Sequence, residues 1–127
     1  MPFKHIVDKE KNIVVLKAKG NVSAIDIISE IQAAINSKRG DGVTRRLIDM
    51  TEPEFTYNLE DAQKILKMMK GSANVLGSKK IAILFKEIPD KFELGNLKSL
   101  MNSSTVEIEL FTDKVKAAKF LSKTTKK

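Results

Sequence analysis

Short apolar runs alternate along the chain with longer segments in which apolar residues recur every three or four positions. The short runs are typical of β-strands, and the longer spacing is typical of one buried face of a helix. The pattern predicts strands at 3–8, 12–19, 43–50, 80–85 and 106–111, and helices that begin near residues 23, 59, 89 and 113. The predicted order, ββαβαβαβα, indicates an α/β domain with a mixed, five-stranded β-sheet and four helices.

Polar residues at the ends of these elements support the boundaries. Ser23 and Asp26 have the spacing of a capping box at the start of the first helix, and Asp113 is expected to cap the last one. The polar stretch 51–58 contains a proline and predicts a loop. Strand 80–85 is the most apolar, so we expect it at the centre of the sheet. A sequential strand order would place all crossover helices on one face, whereas a reversed order would use both faces.

The length and composition indicate one ordinary globular domain. The chain has 127 residues, and its 42% hydrophobic content is enough for a buried core. We expect a single domain over residues 1–122, followed by a frayed basic tail over 123–127. No apolar run approaches the roughly 18 residues of a membrane span, and the first residues lack the pattern of a secretory signal. The expected location is therefore the cytoplasm.

Few residues in this chain are suited to catalysis or to binding a cofactor. The absence of cysteine excludes disulfides, thiol chemistry and cysteine-based zinc sites. His5 is the single histidine, and no nucleophile is predicted beside it. The glycines form neither a phosphate-binding loop nor a dinucleotide fingerprint. We therefore predict a protein that is not an enzyme, with no catalytic residues, no cofactor and no metal site.

The net charge of +7 is concentrated at one end of the chain. Residues 1–113 carry 17 basic and 16 acidic side chains, whereas residues 114–127 carry six lysines and no acid. We therefore expect at most a peripheral contact between this basic end and an anionic membrane surface. Only 6% of the residues are aromatic and none is tryptophan, which argues against sequence-specific binding of nucleic acid.

Three segments carry a resemblance to a known family. They are RLIDMT at 46–51, KIAILF at 80–85 and VEIELFTDKVKAAKFL at 106–121. Together they resemble the SpoIIAA-like family, which includes anti-sigma factor antagonists and their STAS/SEC14-like relatives. The resemblance covers nearly the whole chain. It implies a SpoIIAA-like fold and a regulatory module that binds a protein partner.

The resemblance also implies a site for that partner, around the loop that opens the second helix. Regulatory members carry a Ser or Thr there, where a phosphoryl group meets the helix N-terminus. The matching stretch here lacks the paired Ser and the following Gly, and the acidic residues nearby oppose an added phosphate, which argues against a phosphorylation switch. Whether Thr51 or Thr56 is phosphorylated stays open. Turn and cap hydrogen bonds are the alternative role for this loop. The candidate partner-binding residues are Asp49, Thr51, Glu52, Thr56, Tyr57 and Asn58.

A hydrophobic ligand, such as a lipid or fatty acid, is the alternative to a protein partner. SEC14-like relatives bind lipids in a cleft between helices, and methionine side chains repack easily around apolar ligands. The alternative role for the same residues is ordinary core packing. The candidate groove between the second and third predicted helices comprises Met68, Met69, Phe92, Leu94, Leu97 and Met101.

Overall fold

The computed structural model describes residues 3–38, 40, 42–52, 54–56, 59–87 and 106–123. Within these ranges, strands and helices alternate along the chain. The strands are β1 (Phe3–Asp8), β2 (Ile13–Ala18), β3 (Asn21–Ser23), β4 (Arg45–Met50), β5 (Glu54–Thr56), β6 (Lys80–Phe85) and β7 (Glu107–Phe111). The helices are α1 (Ala24–Ser37), α2 (Leu59–Leu76) and α3 (Lys114–Ser122).

The main sheet has five strands in the order β1-β2-β4-β6-β7. β1 is antiparallel to β2, and the other neighbours are parallel. The prediction of an α/β fold with a mixed, five-stranded sheet is therefore confirmed. β6 is an interior strand between β4 and β7 and all of its residues are buried. The middle strand of the five is β4, so the predicted central position of strand 80–85 is one place off. The helix predicted from residue 89, the third of the four, lies outside the described residues.

The hydrophobic pattern of the sequence did not predict a second, two-stranded sheet that the structure contains. β3 pairs in parallel with β5, and Asn21 lies opposite Glu54. The prediction of an uninterrupted loop over 51–58 is therefore wrong, because Glu54–Thr56 forms a strand. Three residues are too few to show a hydrophobic period, and this pairing depends on backbone groups that every residue carries.

The helices lie on both faces of the main sheet. Ile81, Ile83 and Phe85 share a buried cluster with residues of α1 and α2. Ala82, between them on β6, packs in a second cluster with residues of α3. This alternation follows from the two-residue period of a strand. The strand order is sequential, so the crossover helices α1 and α2 share one face, while α3 is a terminal helix and occupies the other.

Side-chain caps begin the first and last helices as the sequence predicts. The Ser23 hydroxyl accepts from the Asp26 amide at 3.2 Å, and the Asp26 carboxylate accepts from the Ser23 amide at 3.0 Å. The Asp113 carboxylate accepts from the Val115 amide at 2.8 Å at the start of α3. These bonds satisfy amide groups that have no partner within the helix.

A buried lysine holds the C-terminal end of α3. Lys80 is only 3% exposed, and its Nζ donates to the carbonyls of Phe120 at 3.0 Å and Lys123 at 2.8 Å. The same ammonium lies 5.0 Å from the centroid of the Phe120 ring. Arg45 donates to the carbonyl of Leu121 at 3.3 Å. Cations are favourable at this end of a helix, where carbonyls lack partners within the helix.

Gly40 lies where the chain passes close to the sheet. Its φ is +70°, and a Cβ there would lie 2.5 Å from Val14 Cγ2. Gly42 has a similar φ of +85° but nothing within 4 Å of the equivalent Cβ position. The two glycines therefore share a conformational requirement, and only Gly40 has a packing requirement as well.

We expect Gly40→Ala to destabilise the protein more than Gly42→Ala. Both substitutions introduce strain of about 1–2 kcal/mol from the left-handed conformation. Gly40→Ala adds an overpacking cost of about 1–3 kcal/mol against Val14. Urea unfolding of the two variants measures the difference in the free energy of unfolding. Equal losses would contradict the close approach at Gly40.

We expect Lys80→Met to detach α3 from the sheet. The substitution leaves the Phe120 and Lys123 carbonyls without their donor, which costs about 2 kcal/mol. Hydrogen exchange should show faster exchange of the α3 amides than in the unmodified protein. Lys79→Met is the matched control because that side chain is exposed, and we expect a change within about 0.5 kcal/mol. Unchanged exchange in α3 would contradict the role of Lys80.

Candidate functional site

Two parts of the described structure are candidates for function. One is the region around the carboxyl end of β4, formed by Asp49, Thr51 and Glu52 together with β5 and the first turn of α2, which we call the carboxyl-end surface. The other is an apolar depression between α1, α2 and the main sheet, which we call the α1 groove. In open α/β sheets, ligands and partners often bind beyond the carboxyl ends of the strands.

Asp49 organises the loop that follows β4. Its Oδ1 accepts from the backbone amide of Thr51 at 3.0 Å and from the Thr51 hydroxyl at 2.6 Å. This arrangement is a turn in which an aspartate side chain binds the backbone two residues further on. The hydrogen bonds expected as one role of this loop are therefore present at Thr51, and they fix the direction in which the chain leaves the sheet.

Glu52 is exposed, whereas Asp49 and Thr51 are half-buried. The Glu52 carboxylate lies 3.6 Å from the ammonium of Lys17, with the two side chains 50% and 40% exposed. An ion pair with this exposure is screened by water and contributes little to stability. The Glu52 carboxylate is therefore available to a charged group that approaches from outside.

Of the three remaining candidate residues of this surface, the structure describes one. Thr56 lies at the end of β5, opposite Ser23 in the small parallel sheet. Tyr57 and Asn58 lie outside the described residues. The first turn of α2 carries Glu60 and Asp61, so the surface is acidic although the chain as a whole is basic.

The α1 groove consists of two adjoining cavities of about 60 and 40 Å³. Both cavities are in contact with α1, α2 and the sheet, and their shared lining residues are Leu16, Glu30, Ile31, Ile48 and Met69. The first cavity also reaches Ala34 on α1 and His5 on β1, and the second reaches Phe3 on β1. The groove therefore extends under α1 as far as the edge strand.

The lining of the groove is almost entirely apolar, with polar groups in the first cavity. Arg46 borders that cavity, and its guanidinium donates to the Ser78 hydroxyl at 2.6 Å and to the Gly40 carbonyl at 3.5 Å. His5 is exposed and Glu30 is half-buried. A water molecule needs a cavity of about 10–15 Å³, so the groove accommodates a small apolar group, and a long chain would require expansion.

The structure describes two of the six predicted groove residues, and one of these two lines the cavities. Met69 is buried on α2 and lines both cavities, whereas Met68 is half-buried and lines neither. The other four predicted residues lie outside the described part of the chain, namely Phe92, Leu94, Leu97 and Met101. The contributions of β1 and α1 to the groove were missed, because contact between these elements depends on the tertiary fold. The small side chain of Ala34 on the inner stripe of α1 was the available signal.

Two further features of the described residues bear on the site. They contain no group of three or more His, Asp or Glu side chains arranged to hold a metal ion. None of the helices among them combines the length and apolar character needed to cross a membrane.

Comparison with known proteins identifies the fold. A solved structure of an uncharacterized DUF3478-family protein with a SpoIIAA-like fold, from Shewanella loihica PV-4, is similar to this chain with a TM-score of 0.56. The similarity covers 94% of this chain and 91% of that one, at 19% sequence identity. No family model matches the chain, and no curated protein matches it. The expected SpoIIAA-like fold is therefore confirmed, and at this identity the comparison concerns the fold alone.

Proposed function

We propose that this SpoIIAA-like protein is a non-enzymatic interaction module of the STAS type that binds a protein partner at the carboxyl-end surface. The observation that carries the proposal is the Asp49 carboxylate, which holds the following loop through two hydrogen bonds to Thr51. A loop already held in one conformation loses less entropy when a partner binds. This supports a binding role for the loop.

The charge of the surface defines the kind of partner. Glu52 is exposed, and the first turn of α2 adds Glu60 and Asp61. Complementary charge accelerates encounter and selects the correct partner. The partner we propose is therefore a protein with a basic patch of Lys or Arg side chains.

We expect Glu52→Lys to weaken the capture of this partner. The substitution reverses an exposed charge and places a second lysine beside Lys17, so a basic partner meets repulsion. Affinity capture followed by quantitative mass spectrometry should show a loss of about tenfold, equivalent to roughly 1.4 kcal/mol. Glu10→Lys is the matched control because it makes the same charge change at an exposed residue of the β1–β2 turn.

A companion variant tests the loop itself. Asp49→Ala removes the acceptor of both Thr51 hydrogen bonds, and we expect it to lower partner capture while the overall fold persists, as judged by circular dichroism. A partner retained equally by the unmodified protein, Glu52→Lys and Asp49→Ala would place the binding site elsewhere.

A second candidate function is the binding of a small apolar molecule in the α1 groove. The observation that favours it is the pair of adjoining cavities with an almost wholly apolar lining. Met69 lines both, and its flexible thioether side chain allows the groove to expand around a ligand. A short fatty acid fits this chemistry, with its chain among the apolar residues and its carboxylate toward Arg46.

We expect Ala34→Leu to block this site. The larger side chain fills part of the first cavity, whereas Ala33→Leu adds the same atoms at an exposed position on the same helix. Titration with octanoate, followed by NMR chemical shifts, should show binding to the unmodified protein and to Ala33→Leu. Ala34→Leu should bind at least about tenfold more weakly. Failure of the unmodified protein to bind octanoate, or equal binding by the two variants, would contradict this second function.

A further inference from the structure

β1 is an edge strand exposed on both faces. It pairs with β2 on one side, and no strand of the described structure pairs with its other side. The four consecutive residues Lys4, His5, Ile6 and Val7 are all exposed, and Ile6 is 57% exposed. An uncovered edge presents unpaired backbone donors and acceptors to any extended chain that approaches.

The two charged residues Lys4 and Asp8 of β1 lie at equal distances from Ile6. Lys4 precedes Ile6 by two residues and Asp8 follows it by two, so the three side chains lie on the same face of the sheet. Lys4 makes no ion pair within the described residues. Asp8 Oδ1 accepts from the Lys11 amide at 3.0 Å, and Oδ2 receives no hydrogen bond from the described residues.

We propose that β1 pairs antiparallel with β1 of a second copy of this chain, around a two-fold axis through Ile6. In this register Lys4 lies opposite Asp8 of the other copy, and the symmetry repeats the pair. Ile6 meets its own equivalent, which covers its exposed side chain. The two main sheets join into one continuous sheet of twice the width, with α1 and α2 of both copies on the same face.

Neighbouring registers lack this complementarity. A shift of the axis by one residue places either Lys4 or Asp8 opposite Ile6, and the other charge then lies opposite a position beyond the paired strand. A register that pairs Ile6 with an odd-numbered residue turns one copy over, places the α3 face beside the α1 face and has no two-fold axis. The pairing centred on Ile6 is the register in which both charges find an opposite partner. This self-complementarity is the reason to choose a second copy over an unrelated peptide.

The expected dimer is weak. Its contact comprises five paired residues per copy, Lys4–Asp8, and lies below the roughly 1,200 Å² of a standard stable interface. The experiment therefore traps the contact covalently and also measures association at high protein concentration. Both measurements are independent of partner binding at the carboxyl-end surface and of ligand binding in the α1 groove.

The first experiment uses Ile6→Cys in a chain that contains no cysteine. The two-fold axis brings the Cα atoms of residue 6 to about 4.5–5.5 Å from each other, a separation that a disulfide spans. Ile25→Cys is the control because Ile25 on α1 is 75% exposed and lies away from the axis. We expect Ile6→Cys to form disulfide-linked dimers at least about tenfold faster under mild oxidation, as the high effective concentration requires. Equal rates for the two variants would overturn the proposal.

The second experiment exchanges the charges. Lys4→Glu alone and Asp8→Lys alone each place like charges opposite each other twice in a homodimer, and each should weaken association by about tenfold. A mixture of the two variants restores both attractive pairs and should recover a species of twice the 14.2 kDa monomer in sedimentation velocity. Lys64→Glu, at an exposed residue of α2, is the control and should associate as the unmodified protein does. A mixture that associates no better than its separate components would overturn the proposal, as would a strictly monomeric unmodified protein.

Discussion

One buried and two half-buried cations bind backbone carbonyls and tie β4 and β6 to the segments that lie against the two faces of the sheet. Lys80 at the start of β6 donates to two carbonyls at the end of α3, and Arg45 at the start of β4 donates to a third. Arg46 is next along β4 and so points to the opposite face, where it donates to the Gly40 carbonyl beyond α1. Burying an ammonium group without hydrogen-bond partners costs free energy, and leaving buried carbonyls without donors does so too. The Lys80 ammonium and the carbonyls at the end of α3 avoid both costs by binding each other.

This arrangement places the structural contacts at one end of the parallel strands and the proposed binding surface at the other. The amino ends of β4 and β6 are occupied by internal contacts from Arg45, Arg46 and Lys80. At the carboxyl end, the Asp49 turn fixes a loop whose next residue, Glu52, remains exposed. A surface with a fixed backbone and exposed side chains suits recognition, because the conformational cost of binding is already reduced.

Local signals in the sequence predicted the elements that depend on local physics. The Ser23 capping box, the Asp113 cap and the apolar strand β6 follow from neighbours a few residues apart, and all three are present. The role of Lys80 could not be predicted in this way, because a lysine at the start of a strand normally reaches water, and its partners lie about 40 residues away. The α1 groove and the pairing of β3 with β5 likewise depend on segments distant in sequence.

The attachment of α3 has a consequence for the cooperativity of the fold. A helix of nine residues is too short to persist in water by its own hydrogen bonds. Its anchors come from two neighbouring strands, so α3 acquires its full set of partners only when β4 and β6 are already in register. Opening of the pair formed by β4 and β6 therefore removes the anchors of α3 from both strands at once, and the helix depends on the register of two strands that are far from it in sequence.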